Sequence, residues 1–88
     1  MSDRPIRLVP GIGPTTAGWL EAVDIRFESD LRRIGAVEAY WRLKHRDPDR
    51  VSLNALWCLY AVIEDIPMRA VDAETKSRLR AQLDSGNP

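Results

Sequence analysis

Six residues near the start, Leu8-Val9-Pro10-Gly11-Ile12-Gly13, constrain this chain more than any other stretch. Two glycines flank one apolar residue, so the backbone can reverse with positive φ, expected at Gly13, at low steric cost and expose its N–H groups. Ile12 is expected to plug the reversal into a core. Pro14 follows where a helix can begin, because the first helical position has no N–H bond to lose. Ala17 and Leu20, four and seven residues past Gly13, then fall on one helix face. The reading is a helical hairpin whose second helix runs from Pro14 to about Asp24. An aspartate at that end is compatible with the left-handed conformation that closes a helix.

The pattern returns. Residues 9–19 and 31–41 share Ile12/Ile34, Gly13/Gly35, Ala17/Ala39 and Trp19/Trp41, with Val9/Leu31 conservative, at a constant shift of twenty-two. Glycine frees the turn and alanine lets the second helix approach the first. Two hairpins side by side are therefore expected.

Ser29 or Asp30 can cap a short helix that ends at Ile34-Gly35. A longer helix follows over about Ala36–His45, then a charged loop at Arg46–Arg50. Ser52 is placed to cap Leu53–Ile63, which is apolar almost all round and reads as the buried centre. Pro67–Val71 is a turn, and Asp72 caps a final helix with Leu79 and Leu83 inward. No stretch alternates long enough for a strand, since Ile6–Val9 is short and runs into Pro-Gly. The expectation is an all-α domain of five or six helices with tandem helix-hairpin-helix-like motifs. Its core covers about residues 5–83, and residues 84–88 are expected to fray.

Composition narrows the function. Thirteen basic and thirteen acidic residues give zero formal charge. Strong non-specific binding to nucleic acid usually needs a clear positive excess, because neutralised phosphates supply most of the affinity. A local patch is still allowed, and residues 26–50 carry seven Lys or Arg against five Asp or Glu. One cysteine, Cys58, forms neither a disulfide framework nor a cysteine zinc site. The longest apolar run, Ala55–Ile63, is about half a membrane span. With no signal-like segment at Met1–Pro5, a cytoplasmic protein is expected.

Leu8–Leu83 resembles the C-terminal domain of the TfoX/Sxy family, bacterial regulators of natural competence. The residues that carry the resemblance are Gly13-Pro14 with Trp19-Leu20 and Ile25, then Asp30-Leu31-Arg32-Arg33-Ile34-Gly35-Ala36-Val37. Tyr40 with Leu43-Lys44, and Ser52-Leu53-Asn54-Ala55-Leu56-Trp57 with Leu59, complete it. The resemblance implies a small helical fold related to helix-hairpin-helix domains and a role in transcription regulation for DNA uptake. Two-domain members of the family carry an N-terminal α/β domain, so a stand-alone copy is expected here. The family brings no catalytic residues.

Two binding modes compete. In the first, Trp19 and Trp41 dock a regulatory protein, provided the indoles are not wholly core. In the second, duplex DNA binds through backbone phosphates. Its candidates are Gly11, Ile12, Gly13, Thr15, Thr16, Arg32, Arg33 and Gly35, which expose amides, hydroxyls and guanidinium groups around the two turns. Pro14 stands where such hairpins often carry Lys or Arg, and this favours the protein mode. His45 reads as a helix-end residue, Asp47 and Asp49 as a solvated loop, and Cys58 as core packing. No nucleophile has a base in a motif. The expectation is a non-catalytic module with no cofactor, metal, small-molecule substrate or membrane contact.

Overall fold

The computed structural model describes residues 3–85. Five α-helices and two single 3-10 turns, at Ile6–Leu8 and Met68–Ala70, make up the regular structure, with no strand among the described residues. The helices are α1 (Pro14–Ala22), α2 (Glu28–Ile34), α3 (Ala36–Arg46), α4 (Leu53–Glu64) and α5 (Ala73–Ser85). The all-α expectation holds.

The repeat is real in space. Helices α1 and α3 begin twenty-two residues apart, each from a glycine at its N-cap. The 3-10 turn at Ile6–Leu8 occupies the place that α2 takes in the second copy. Ahead of these elements the copies pair with each other: the Ile6 amide donates to the Arg26 carbonyl, and the Glu28 amide donates to the Arg4 carbonyl, both at 2.9 Å. Shifting either bond by twenty-two residues generates the other. Such reciprocity is what an approximate twofold axis between the hairpins requires. Burial follows the same rule, since Ala17 and Ala39 are inaccessible, Val9 and Leu31 are buried, and Trp19 and Trp41 are both partly exposed.

The two turns nevertheless solve the reversal differently. The first spends five residues between its 3-10 turn and α1, and its positive φ falls on Gly11 (+93°), while Gly13 has an ordinary φ of −79°. The second spends one residue, Gly35, at φ +88° and ψ 162°. That region is open almost only to glycine. Any expectation of positive φ at Gly13 is therefore corrected. The strain that glycine relieves lies two residues earlier.

Helix ends explain most of the boundaries. Asp24 (φ +65°) and Asp65 (φ +56°) take the left-handed conformation after α1 and α4, a role that short acidic side chains tolerate. Neither Ser29 nor Asp30 caps α2 from the N-cap position, which is Phe27. Phenylalanine has no acceptor there. Asp30 instead reaches back from the third position, and its carboxylate accepts from the Arg26 and Phe27 amides at 3.2 Å each. Ser52 stands at the start of α4 without a side-chain bond. Asp72 does cap α5, accepting from the Thr75 amide at 2.8 Å. Asp84 and Ser85 belong to α5, so the chain stays helical past residue 83, and 86–88 lie outside the described residues. Arg46, expected in a loop, is the last residue of α3. The loop after it is held by Lys44, whose Nζ donates to the Pro48 and Val51 carbonyls at 2.8 and 2.6 Å.

The core gathers Ile6, Leu20, Ile25, Leu31, Leu43, Leu56 and Leu59, all under 2% exposed. Helix α4 supplies Leu56 and Leu59 at its centre. It is not enclosed all round: Trp57, Cys58, Tyr60 and Ile63 are only partly buried. The Lys76 Nζ of α5 sits over the Trp57 ring, 5.6 Å from its centre, so an ammonium group faces the exposed side of that indole. No described helix is long and apolar enough to cross a membrane.

Three carboxyls stabilise the fold above their own titration range. Backbone amides hold Asp30 below the usual carboxylate value, the Thr75 amide does so for Asp72, and the guanidinium groups of Arg4 and Arg32 do so for Glu28. A depressed folded pKa contributes stability that is present above the unfolded value, about 4, and is lost as pH falls through the folded value. The melting temperature is therefore expected to be flat from neutral pH to about 5 and to fall below about 4. Asp72→Asn keeps a capping oxygen but removes one titration, and should make that decline shallower in a calorimetric pH series. An unchanged decline would remove Asp72 from the account.

Candidate functional site

At the first hairpin, Ile12 is 8% exposed and plugs the turn as expected, with Gly11 and Gly13 exposed on either side. The Gly11 carbonyl faces inward and accepts from the Cys58 thiol at 3.3 Å. Cys58 thus ties α4 to the hairpin, and burial pushes its thiol pKa up, which keeps it protonated. Thr15 is exposed and Thr16 partly so, and neither hydroxyl caps the helix. Together with their amides they are free donors at the start of α1, whose first turn holds no acid. Pro14 withholds one amide from that set.

The second hairpin is different. Arg32 is committed to the fold: Nε and Nη2 donate to the Glu28 carboxylate at 3.3 and 3.0 Å, and Nη1 donates to the Ile63 carbonyl at 2.8 Å. It fastens α2 to the end of α4. Arg33 is looser, 74% exposed with one 3.3 Å contact to Asp30. The Gly35 amide is already bound to the Leu31 carbonyl at 2.8 Å, and Glu38 lies in the first turn of α3. A phosphate approaching here would meet that carboxylate.

Gly11 and Arg32 do come together, on a cavity of about 360 Å³ that Arg4, Glu28, Val62, Asp65 and Met68 also line. Two arginines face two carboxylates there. Arg4 and Arg32 both bind Glu28, so the cavity has no net attraction for an anion. Arg33 and Gly35 are not among its lining residues. The predicted phosphate residues do not converge.

Trp19 and Trp41 lie on adjoining clefts that share one residue, Arg46. The first is lined by Trp19, Leu43, Arg46 and Asp47, and the second by Val23, Glu38, Trp41, Arg42, His45 and Arg46. Trp19 packs against the buried core from one side. Trp41 Nε1 is shielded from solvent and has no acceptor. A buried donor without a partner costs about 1–3 kcal/mol, so this indole is held at a disadvantage. Arg46 is exposed and makes no ion pair among the described residues.

Sequence reasoning missed Arg46 because the charged run after it reads as one loop. It also missed the Arg4–Glu28–Arg32 cluster, although the four-residue spacing of Glu28 and Arg32 was a usable signal.

The profile of the TfoX C-terminal domain matches residues 2–83. No curated protein matches the chain. The crystal structure of an uncharacterized protein from Listeria monocytogenes, triclinic form, superimposes with a TM-score of 0.80 over 96% of this chain and 92% of that one, at 23% identity. At that identity the likeness speaks for the fold alone. The family match leaves out only residue 1 and residues 84–88, and the chain belongs to the TfoX C-terminal domain family.

Proposed function

We propose that this chain is a non-catalytic binding module that serves regulation through protein contacts, in keeping with the competence regulators its family is named for. One observation carries the reading: both candidate indoles keep exposed surface, on clefts that meet at Arg46, which makes no ion pair among the described residues. Tryptophan and arginine are the residues that anchor protein interfaces most often. The opposing facts about DNA support the same reading. Formal charge is zero, Arg32 is spent on Glu28 and Ile63, and the Gly11 cavity balances its own charges.

Duplex DNA remains the second reading because Thr15 and Thr16 keep free donors at an acid-free helix start. Such a site would hold a backbone phosphate without reading bases. Fluorescence anisotropy of a labelled duplex over a salt series decides between them. We expect no saturable binding even at about 50 mM salt, where phosphate contacts are strongest. Binding that weakens steeply with salt, and is abolished by Thr15→Glu with Thr16→Glu, would replace the protein reading with the phosphate one.

A further inference from the structure

We infer that the cleft between the end of α1 and the outer face of α3 docks an acidic segment carrying one apolar side chain, an inference that rests on the protein-binding reading above. The cleft holds about 370 Å³, within the range of pockets that enclose a ligand group. Val23 and Trp41 supply its apolar surface, enough to seat one aliphatic or aromatic side chain.

Its charge selects the rest of the occupant. Glu38 is already answered by Arg42, whose Nε donates to it at 3.1 Å. That leaves Arg46, which makes no ion pair among the described residues, so the cleft is locally positive on a molecule of zero formal charge. Carboxylates flanking the apolar residue would complement it. The orphan Trp41 N–H is an independent pointer to an acceptor. Trp41 is itself a lining residue of the cleft, so its indole N–H reports on whatever is seated there. A nucleic-acid strand fits less well, because the apolar seat of Val23 and Trp41 offers a sugar–phosphate chain nothing to bury.

The test is a titration of the isotope-labelled full chain, followed by NMR, with two probes. One is a short synthetic peptide of Asp and Glu around a central Leu, and the other replaces the acids by Lys. The acidic peptide should shift the Trp41 indole N–H and the amides of Val23 and residues 41–46, saturably. Arg46→Glu should weaken that binding roughly fivefold, the scale of reversing one exposed charge contact. Arg46 makes no ion pair among the described residues, but an acid at the last position of α3 opposes the helix dipole. The variant is therefore compared only where its amide spectrum outside the cleft matches the parent's. Arg46→Gln, which adds no acid there, should weaken the binding in the same direction. The Lys peptide should leave the spectrum unchanged.

Equal binding of both peptides, shifts confined to residues 9–16, or no shifts at all would overturn the inference. So would the same shifts on simple concentration of the protein, which would make a second copy the occupant, or on addition of a duplex. The two readings fail separately. A native protein partner retained equally by the parent, Trp41→Ala and Arg46→Glu would sink the cleft and leave the module. Salt-sensitive duplex binding with silent peptides would sink both.

Discussion

Valine in place of Gly11 should lower the melting temperature by roughly 10–25 °C, from a loss of about 2–4 kcal/mol at 4–8 °C per kcal/mol in a domain of this size. Two costs add. The residue sits at φ +93°, where a β-branched side chain is strained. A Cβ there would also lie 3.1 Å from Val62 Cγ2, in a contact tighter than packed side chains accept without shifting. Gly13→Ala is the control. Gly13 has φ −79° and open space around its missing Cβ, so the change should cost no more than about 1 kcal/mol, the range of an N-cap substitution. Differential scanning calorimetry of both variants checks the assignment. Equal losses at the two positions would mean that the hairpin does not turn at Gly11.

Leu56→Ala is expected to cost about 2–5 kcal/mol, by lost transfer energy and the cavity left behind. A chain of this length has a total stability of only about 4–13 kcal/mol, so the loss is a large share of the whole. Leu56 is fully inaccessible at the centre of α4, the helix that packs most extensively on α3. Leu83→Ala provides the contrast. Leu83 is partly exposed near the end of α5, and its truncation should cost well under half as much. Chemical denaturation of both proteins would show it. A Leu56→Ala loss below about 1 kcal/mol would displace α4 from the centre of the core.

The two results probe different layers of the molecule. Gly11 tests a local turn, in which one dihedral angle decides whether Ile12 reaches the core. Leu56 tests the sum of the packing that both hairpins share. A binding surface built on the outside of α1 and α3 needs both, since Val23 and Trp41 are held at a common cleft only while the hairpins stay together.

How far the residues alone could go depended on range. Helix limits were legible within a few positions because proline, capping aspartates and apolar spacing act over a single turn of chain. The plug at Ile12 and the left-handed Asp24 were legible for the same reason. So was the twenty-two-residue echo, down to matching burial of Ala17 with Ala39. The Gly13 conformation was not, because two glycines so close together leave a choice that only the packing of Val62 against the loop resolves.

The site was legible in its residues but not in their roles. Arg32 looked like a phosphate ligand until Ile63, thirty-one residues away, claimed its guanidinium. Arg46 looked like part of a loop, and became the residue between two tryptophan clefts once α3 ran one residue further. Amino-acid order by itself determined the helices, their repeat and the apolar face of each, through short-range sterics and periodicity. Only the tertiary structure decided which charges cancel, that the Trp41 indole is buried without an acceptor, and that Arg46 makes no ion pair among the described residues. Those depend on groups that meet through folding and have no fixed spacing along the chain.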